Sequence, residues 1–348
     1  MEKPLDILYV GSLNPRGTCC HRKIALEDMG HRVVGLHASL GGEAGLLLGL
    51  LNRLGRRLFN SVHDRRFNEA IWKAVRGGRF DILWIDKGLS VAPRTLRLVR
   101  EHSPGTRIVG YCPDDVMTRG NQSRQFLRGL PLYDAYLTTK SFHVTELRDL
   151  GCPKVVFVPN AYAPHVHRPI SVPAQERARL GGPVGFIGGA ERQRARSVAC
   201  LADNGIPVKV WGDLWDRWKK RLDGKFEVAG PSRYGDEYVR IICSFDINLC
   251  FLRKANRDLQ TTRSVEIPAC EAFMLGERTD EHLGLFREGI EAEFFACDEE
   301  LLEKVRYYLA HPLERQRIAR AGRERCLKSG YSNSDRLRHC LEAILQQA

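Results

Sequence analysis

Residues Asp258 to Arg278 read DLQTTRSVEIPACEAFMLGER: an acid, seven spacers, a second acid at Glu266, a small-residue turn and a short apolar strand. An apolar run, DINLCF at 246–251, precedes them. The run reads as a strand and the stretch from Thr261 or Thr262 as a helix, so a strand end and a helix start are predicted to face one cleft. A helix N-terminus carries unpaired N–H groups and partial positive charge, and it receives a diphosphate well. A carboxylate one turn in can accept two hydrogen bonds from a vicinal diol. Arg263 falls in the same first turn. A helix whose polar first turn is capped by threonine accounts for the same spacing without any ligand.

Working outward, the chain alternates strand and helix in two rounds. In the first half the short apolar runs 5–11, 31–36, 80–86, 106–112, 133–139 and 154–160 are bounded by turn residues and read as parallel strands buried on both faces. Helical periodicity fills the gaps, as in 93–103 and in 140–151, where Gly151 supplies a C-terminal stop. After a proline-punctuated stretch the alternation restarts with PVGFIGG, PVKVWG, DINLCF and AFMLG. The pattern predicts two doubly wound α/β domains: residues 1–168, a linker over 169–183, and residues 184–331, with a cleft between the domains as the expected ligand site. The C-terminal stretch 332–348 is available to pack back on the first domain.

Composition bounds the possibilities. A chain of 348 residues exceeds what one core normally serves. It carries 54 Lys and Arg against 42 Asp and Glu, a net charge of +12, which implies an acidic partner without choosing among nucleotide, lipid surface and nucleic acid. The eleven cysteines include no C-x-x-C pair and no histidine at ligand spacing, so reduced, structurally inert thiols and a cytoplasmic chain are expected. No secretion leader opens the sequence, and no apolar stretch approaches the ~18 residues a spanning helix needs.

Two glycine turns follow first strands. Gly11 and Ser12 open one, Gly188 and Gly189 the other, and neither fits the dinucleotide fingerprint, so a nicotinamide cofactor is unsupported. The second is the stronger ligand candidate because Arg192, Arg194 and Arg196 follow at the helix start. Arg253 and Lys254, just past the strand at 246–251, are further phosphate candidates, and a surface charge pair is the alternative reading. Asp114, Asp115 and His143 lie at or just beyond strand ends of the first domain, where an acceptor base belongs if the chemistry inverts; helix caps or turn residues are the plainer account. Asp114 and Asp115 are adjacent, so they do not form a spaced metal motif.

The stretch from Asp258 onward, together with GERTDEHLGLFREGIEAEFFACDEELLEKVRYYLAHPLERQRIARAGRERCLKSGY at 276–331, KSFHVTELRDLGCPKVVFVPNAYAPHVHRP at 140–169 and VGFIGGAERQRARSVACLADNGIPVKVWGDLW at 184–215, resembles the CgeB-like (spore maturation protein) glycosyltransferases of the GT-B group. These stretches cover a little over half the chain. The family carries Glu, seven residues, Glu, where this sequence has Asp258 first, and it usually shows Gly where this sequence has Glu271. The resemblance implies two Rossmann-like domains and transfer of a sugar from a nucleotide diphosphate donor to a glycan, lipid-linked or protein acceptor. By that resemblance Asp258 contacts the transferred sugar and Glu266 the ribose, while Arg253, Lys254 and Arg263 hold the phosphates. The loop of Gly188 and Gly189 lies beside the diphosphate, and Trp211 and Gly212 lie where a nucleobase stacks, although a core Trp fits as well. Gly11, Ser12 and Asp114 fall on the acceptor side. Neither a metal nor a cofactor is implied, and the motif leans toward retention.

Residues 42–67 cluster seven leucines with Arg53, Arg56, Arg57, Arg65 and Arg66, which fits either a basic amphipathic helix on an anionic membrane or a loop helix packed on the first domain. A sugar-nucleotide epimerase on the same plan is the first competing reading. A non-catalytic nucleotide- or nucleic-acid-binding protein is the second, although no nucleic-acid motif appears and no such partner is expected.

Overall fold

The computed structural model describes residues 3–38 and 62–346, so residues 42–61 of the leucine- and arginine-rich stretch lie outside the described residues. The chain divides into two compact units, Met1–Pro159 with Asn333–Ala348, and Asn160–Ser332.

The first unit is built on a six-stranded parallel sheet of β1 (Asp6–Gly11), β2 (Arg32–His37), β3 (Ile82–Asp86), β4 (Arg107–Cys112), β5 (Ala135–Thr138) and β6 (Val155–Phe157), in the order β2-β1-β3-β4-β5-β6. Helices Val62–Gly77, Pro93–His102 and Arg124–Gly129 cover one face through Phe67, Ile71, Leu96, Val99 and Phe126. Helices Thr18–Asp28 and Asn333–Leu345 cover the other through Leu26, Leu337, Leu341 and Ile344. Burying each of those large aliphatic side chains is worth about 1.5–3 kcal/mol before entropy, which is how the C-terminal helix is held here. β2 departs from the expectation of strands buried on both faces. It is an edge strand, and Val34 is 45% exposed.

The second unit repeats the plan with β7 (Gly182–Ile187), β8 (Val208–Trp211), β9 (Glu227–Gly230), β10 (Phe245–Cys250), β11 (Met274–Glu277) and β12 (Glu293–Phe295), ordered β12-β11-β10-β7-β8-β9. β9 and β12 were not among the strands read from the sequence. Each is only three or four residues long and sits at a sheet edge, so neither has the apolar run that marks a buried strand. Residues 169–183 are not a bare linker: they hold helix Ala174–Leu180 and the start of β7, and Leu180 joins a core with Tyr162, Val239 and Phe245. Strand order reverses between β7 and β10, and ligands of open α/β sheets bind outside the carboxyl ends of the strands at such a point.

Candidate functional site

The loops after β7 and β10 meet at that reversal. Phe186, fully buried on β7, has a guanidinium on each of two approaches: Arg194 lies 5.4 Å and Arg263 5.3 Å from its ring centroid. Arg194 comes from helix Arg192–Asp203 and Arg263 opens helix Arg263–Ala269. Arg194 donates to the Gly189 carbonyl at 2.9 Å and the Leu252 carbonyl at 3.3 Å. Burial, and then the neighbouring Arg263 charge, lower its pKa to about 10, so it stays protonated at neutral pH. Arg263 Nε is buried with no hydrogen-bond partner. Two guanidiniums drawn to one ring are a ready receptor for a dianion.

The Gly188–Gly189 turn is pinned in place. Gly188 N–H donates to the Trp211 carbonyl at 2.8 Å, and Trp215 Nε1 donates to the Gly188 carbonyl at 2.8 Å. Gly188 has φ +154°, and an added Cβ would come within 2.9 Å of the Phe186 ring and 3.2 Å of Arg263. Gly212, at φ +142°, is required because a Cβ there would strike the Gly188 carbonyl oxygen at 2.2 Å. Trp211 itself is a core residue: it is 5% exposed and its indole N–H donates to the Leu180 carbonyl at 2.9 Å, so it does not stack on a ligand base.

Glu266 sits one turn into helix Arg263–Ala269 and is held from two sides. Tyr238 donates its hydroxyl to Oε2 at 2.8 Å, and His167 Nε2 faces Oε1 at 3.5 Å. His167 Nδ1 accepts the Ala163 N–H at 3.0 Å, which leaves the proton of the neutral ring on Nε2, toward the carboxylate. Burial lowers the His167 pKa and raises that of Tyr238, so both remain neutral donors. Neither residue is visible as a partner in the sequence, since 99 and 28 positions separate them from Glu266.

Asp258 faces its own loop. Its Oδ1 accepts from Asn256 at 2.6 Å and its Oδ2 from the Arg253 N–H at 3.3 Å, so it holds residues 253–258 in shape. Arg253 pairs with Glu191 at 2.9 Å, Lys254 pairs with Glu277, and both cations are about half exposed. Arg192 and Arg196 point outward, and of the three alternating arginines Arg194 alone is buried. The signal that separates them is helical phase, because Ala195, Val198 and Leu201 mark the buried face. Threonine does not cap helix Arg263–Ala269; instead Ser264 Oγ accepts the Thr261 N–H at 3.0 Å and donates to His282 Nε2, whose Nδ1–H is fixed on the Glu277 carbonyl. Glu271, at φ +57°, occupies the left-handed stop at the far end of this helix and turns toward Arg323 at 3.7 Å, away from the arginine pair.

In the first unit Asp115 and His143 do meet, Oδ1 to Nε2 at 3.0 Å, but both are fully buried. Asp115 also accepts the Met117 N–H at 2.9 Å, and His143 Nδ1 lies 2.9 Å from the Thr138 hydroxyl. They tie the loop after β4 to the end of β5 and cannot touch an acceptor. Asp115, His143 and Glu146 place ligand atoms within 4.8 Å of one another, yet Nε2 already spends its proton on Asp115, so a cation would have to displace it. Asp114 pairs with Lys87 at 2.5 Å. Gly11 is small because a Cβ would strike Cys19 at 2.4 Å and Asp86 at 3.0 Å. Ser12 is exposed beside Leu13, Asn14 and His37. All eleven cysteines are free, and Cys243 departs from the inert set because a hydrogen bond from the Cys270 thiol holds its pKa below the ordinary value. No helix among the described residues is long and apolar enough to cross a membrane.

Residues 192–342 match the family model described as glycosyl transferase-like. The whole chain has the fold of a glycosyltransferase from Rickettsia africae ESF-5, with a TM-score of 0.66 and 14% identity over 100% of both chains. The chain has the two-unit α/β fold of the GT-B glycosyltransferases. The fold is also similar to that of Anabaena HepE in complex with UDP and glucose, at a TM-score of 0.65 and 12% identity over 98% of this chain and 99% of that one. Sucrose-phosphate synthase from Thermosynechococcus elongatus gives a TM-score of 0.65 and 11% identity over 97% and 98%. No curated protein matches the sequence.

Proposed function

We propose that this GT-B glycosyltransferase takes a uridine diphosphate sugar in the second unit and transfers the sugar, with retention and without a metal, to a glycan, lipid-linked or protein acceptor, as a CgeB-like member of the group. The observation that carries the reading is the Arg194–Phe186–Arg263 arrangement beside the Gly188–Gly189 turn, with Glu266 in the helix that Arg263 opens. The two guanidiniums neutralise the departing diphosphate, the charge-stabilising role a cation would otherwise take. Glu266, fixed by Tyr238 and His167, presents an oriented carboxylate to the ribose diol, and Asp258 shapes the loop that receives the sugar. UDP is the nucleotide because the structurally similar HepE carries it. Retention rests on the motif resemblance, and it is supported by the complete burial of Asp115 and His143, which withdraws two of the candidate bases for inversion.

The test is a thermal-shift panel of nucleoside diphosphates and their sugars on wild type and Glu266→Ala, followed by turnover with and without EDTA and NMR of the product anomer. Stabilisation by UDP that is lost in the variant, EDTA-insensitive turnover and a retained anomer are expected. Absence of a shift with every nucleotide overturns the donor reading, and conversion of donor without acceptor turns it into an epimerase.

A further inference from the structure

Among the described residues of the first unit, charge is unevenly spread over the two helical layers. On the layer formed by helices Val62–Gly77, Pro93–His102 and Arg124–Gly129, the exposed side chains include Arg65, Arg66, Lys73 and Arg76 from the first helix, Arg94 and Arg97 from the second, and Arg124 and Arg128 from the third. Among the described residues none of these cations is in an ion pair. The exposed acids on the same helices are Glu69 and Glu101. On the opposite layer, helices Thr18–Asp28 and Asn333–Leu345 carry a balanced set in which Lys23 pairs with Glu27 and Arg338 with Asp335.

Helical phase explains how the cations come together. Phe67, Ile71 and Val75 turn inward from the first helix, which leaves Arg65, Arg66, Lys73 and Arg76 on its outer side. Leu96 and Val99 do the same for Arg94 and Arg97, and Phe126 for Arg124 and Arg128. The three helices pack side by side, and Arg94, Arg97, Arg124 and Arg128 line one shallow groove between the second and third. Unpaired like charges on one face repel, and such a face is stabilised by an anionic partner.

We propose that this three-helix layer docks the enzyme on an anionic lipid bilayer. The cations are distributed rather than convergent, across a first helix about 24 Å long and its two neighbours, which suits an extended charged surface better than one small ligand. Among the described residues no Phe, Tyr, Trp or large aliphatic side chain of these helices is exposed, and the exposed His102 ring is packed edge-on against Trp72, so the attachment is electrostatic and reversible. The inference stands apart from the donor site, since all of these residues belong to the first unit.

The test is co-sedimentation of the full chain with vesicles of neutral phosphatidylcholine, with and without anionic phosphatidylglycerol, across a salt series. A variant with Arg94→Glu, Arg97→Glu, Arg124→Glu and Arg128→Glu is compared with a milder Arg94→Gln and Arg97→Gln variant, each checked for an unchanged melting temperature. Binding to anionic vesicles only, weakened roughly fivefold for each cation removed and abolished near 1 M salt, is the expected result. Equal binding to neutral vesicles, binding that survives high salt, binding unchanged in the milder variant, or tighter binding to duplex DNA each overturns the proposal. The salt series on the wild type decides the matter even if the charge reversal does not fold.

Discussion

Tyr238 and Glu266, on separate helices of the second unit, share a 2.8 Å hydrogen bond in which the phenol donates to Oε2. Because His167 stands on the other oxygen, the carboxylate is oriented before any ligand arrives. Tyr238→Phe is expected to weaken donor binding about tenfold, close to 1.4 kcal/mol, by releasing that orientation. Calorimetric titration with UDP reads this directly, and an unchanged affinity would detach Glu266 from the diol.

Arg194 and Arg263 repel across Phe186. Arg194→Met loses hydrogen bonds to the Gly189 and Leu252 carbonyls but relieves that repulsion, so free stability should move by only about 1 kcal/mol. Stabilisation by UDP should fall far more. Melting curves with and without UDP separate the two effects, and equal losses in both would make Arg194 a purely structural residue.

His282 gives the fold a pH dependence of known sign. Burial lowers its pKa to about 4 from an ordinary 6.5, so the unfolded chain takes up a proton that the folded one refuses. Its contribution is complete above about pH 6.5 and is lost as pH falls toward 4, a few kcal/mol over that window. The melting temperature should drop across this range in the wild type and less steeply in His282→Gln. Parallel curves would assign the acid sensitivity elsewhere.

Asp115 and His143 were sequence candidates for a catalytic base, and their complete burial makes them a structural pair. Asp115→Asn is expected to cost about 1.5–3 kcal/mol in urea unfolding while leaving the UDP-induced thermal shift unchanged. Loss of turnover with full stability would restore the catalytic role.

Glu271 holds a left-handed backbone at φ +57° where glycine is the usual residue, and its pairing with Arg323 is long and partly exposed. Glu271→Gly should therefore stabilise the protein by about 1 kcal/mol. The urea midpoint checks it; a destabilised variant would show that the ion pair outweighs the backbone strain.

The local pattern carried the strands and helices because apolar runs and 3.6-residue periodicity report burial directly. It also placed Glu266 and Arg263 in one helical turn, since four residues of helix suffice to bring them there. Two short edge strands escaped it, as did the boundary at Pro159, because a turn and a helix from 160 to 181 are assigned by what they pack on.

What the sequence by itself determined is the α/β alternation, the repeat of the plan and the helix that carries the second acid. Only the tertiary structure decided which of the candidate charges are free to act. Ionic chemistry depends on distance and burial: Arg194 rather than Arg192 faces Phe186, Arg253 and Lys254 are spent on Glu191 and Glu277, and Asp115 and His143 hydrogen-bond each other out of reach of solvent. His167 and Tyr238 reach Glu266 across 99 and 28 residues of chain, and no local spacing rule can report a contact that the fold alone creates.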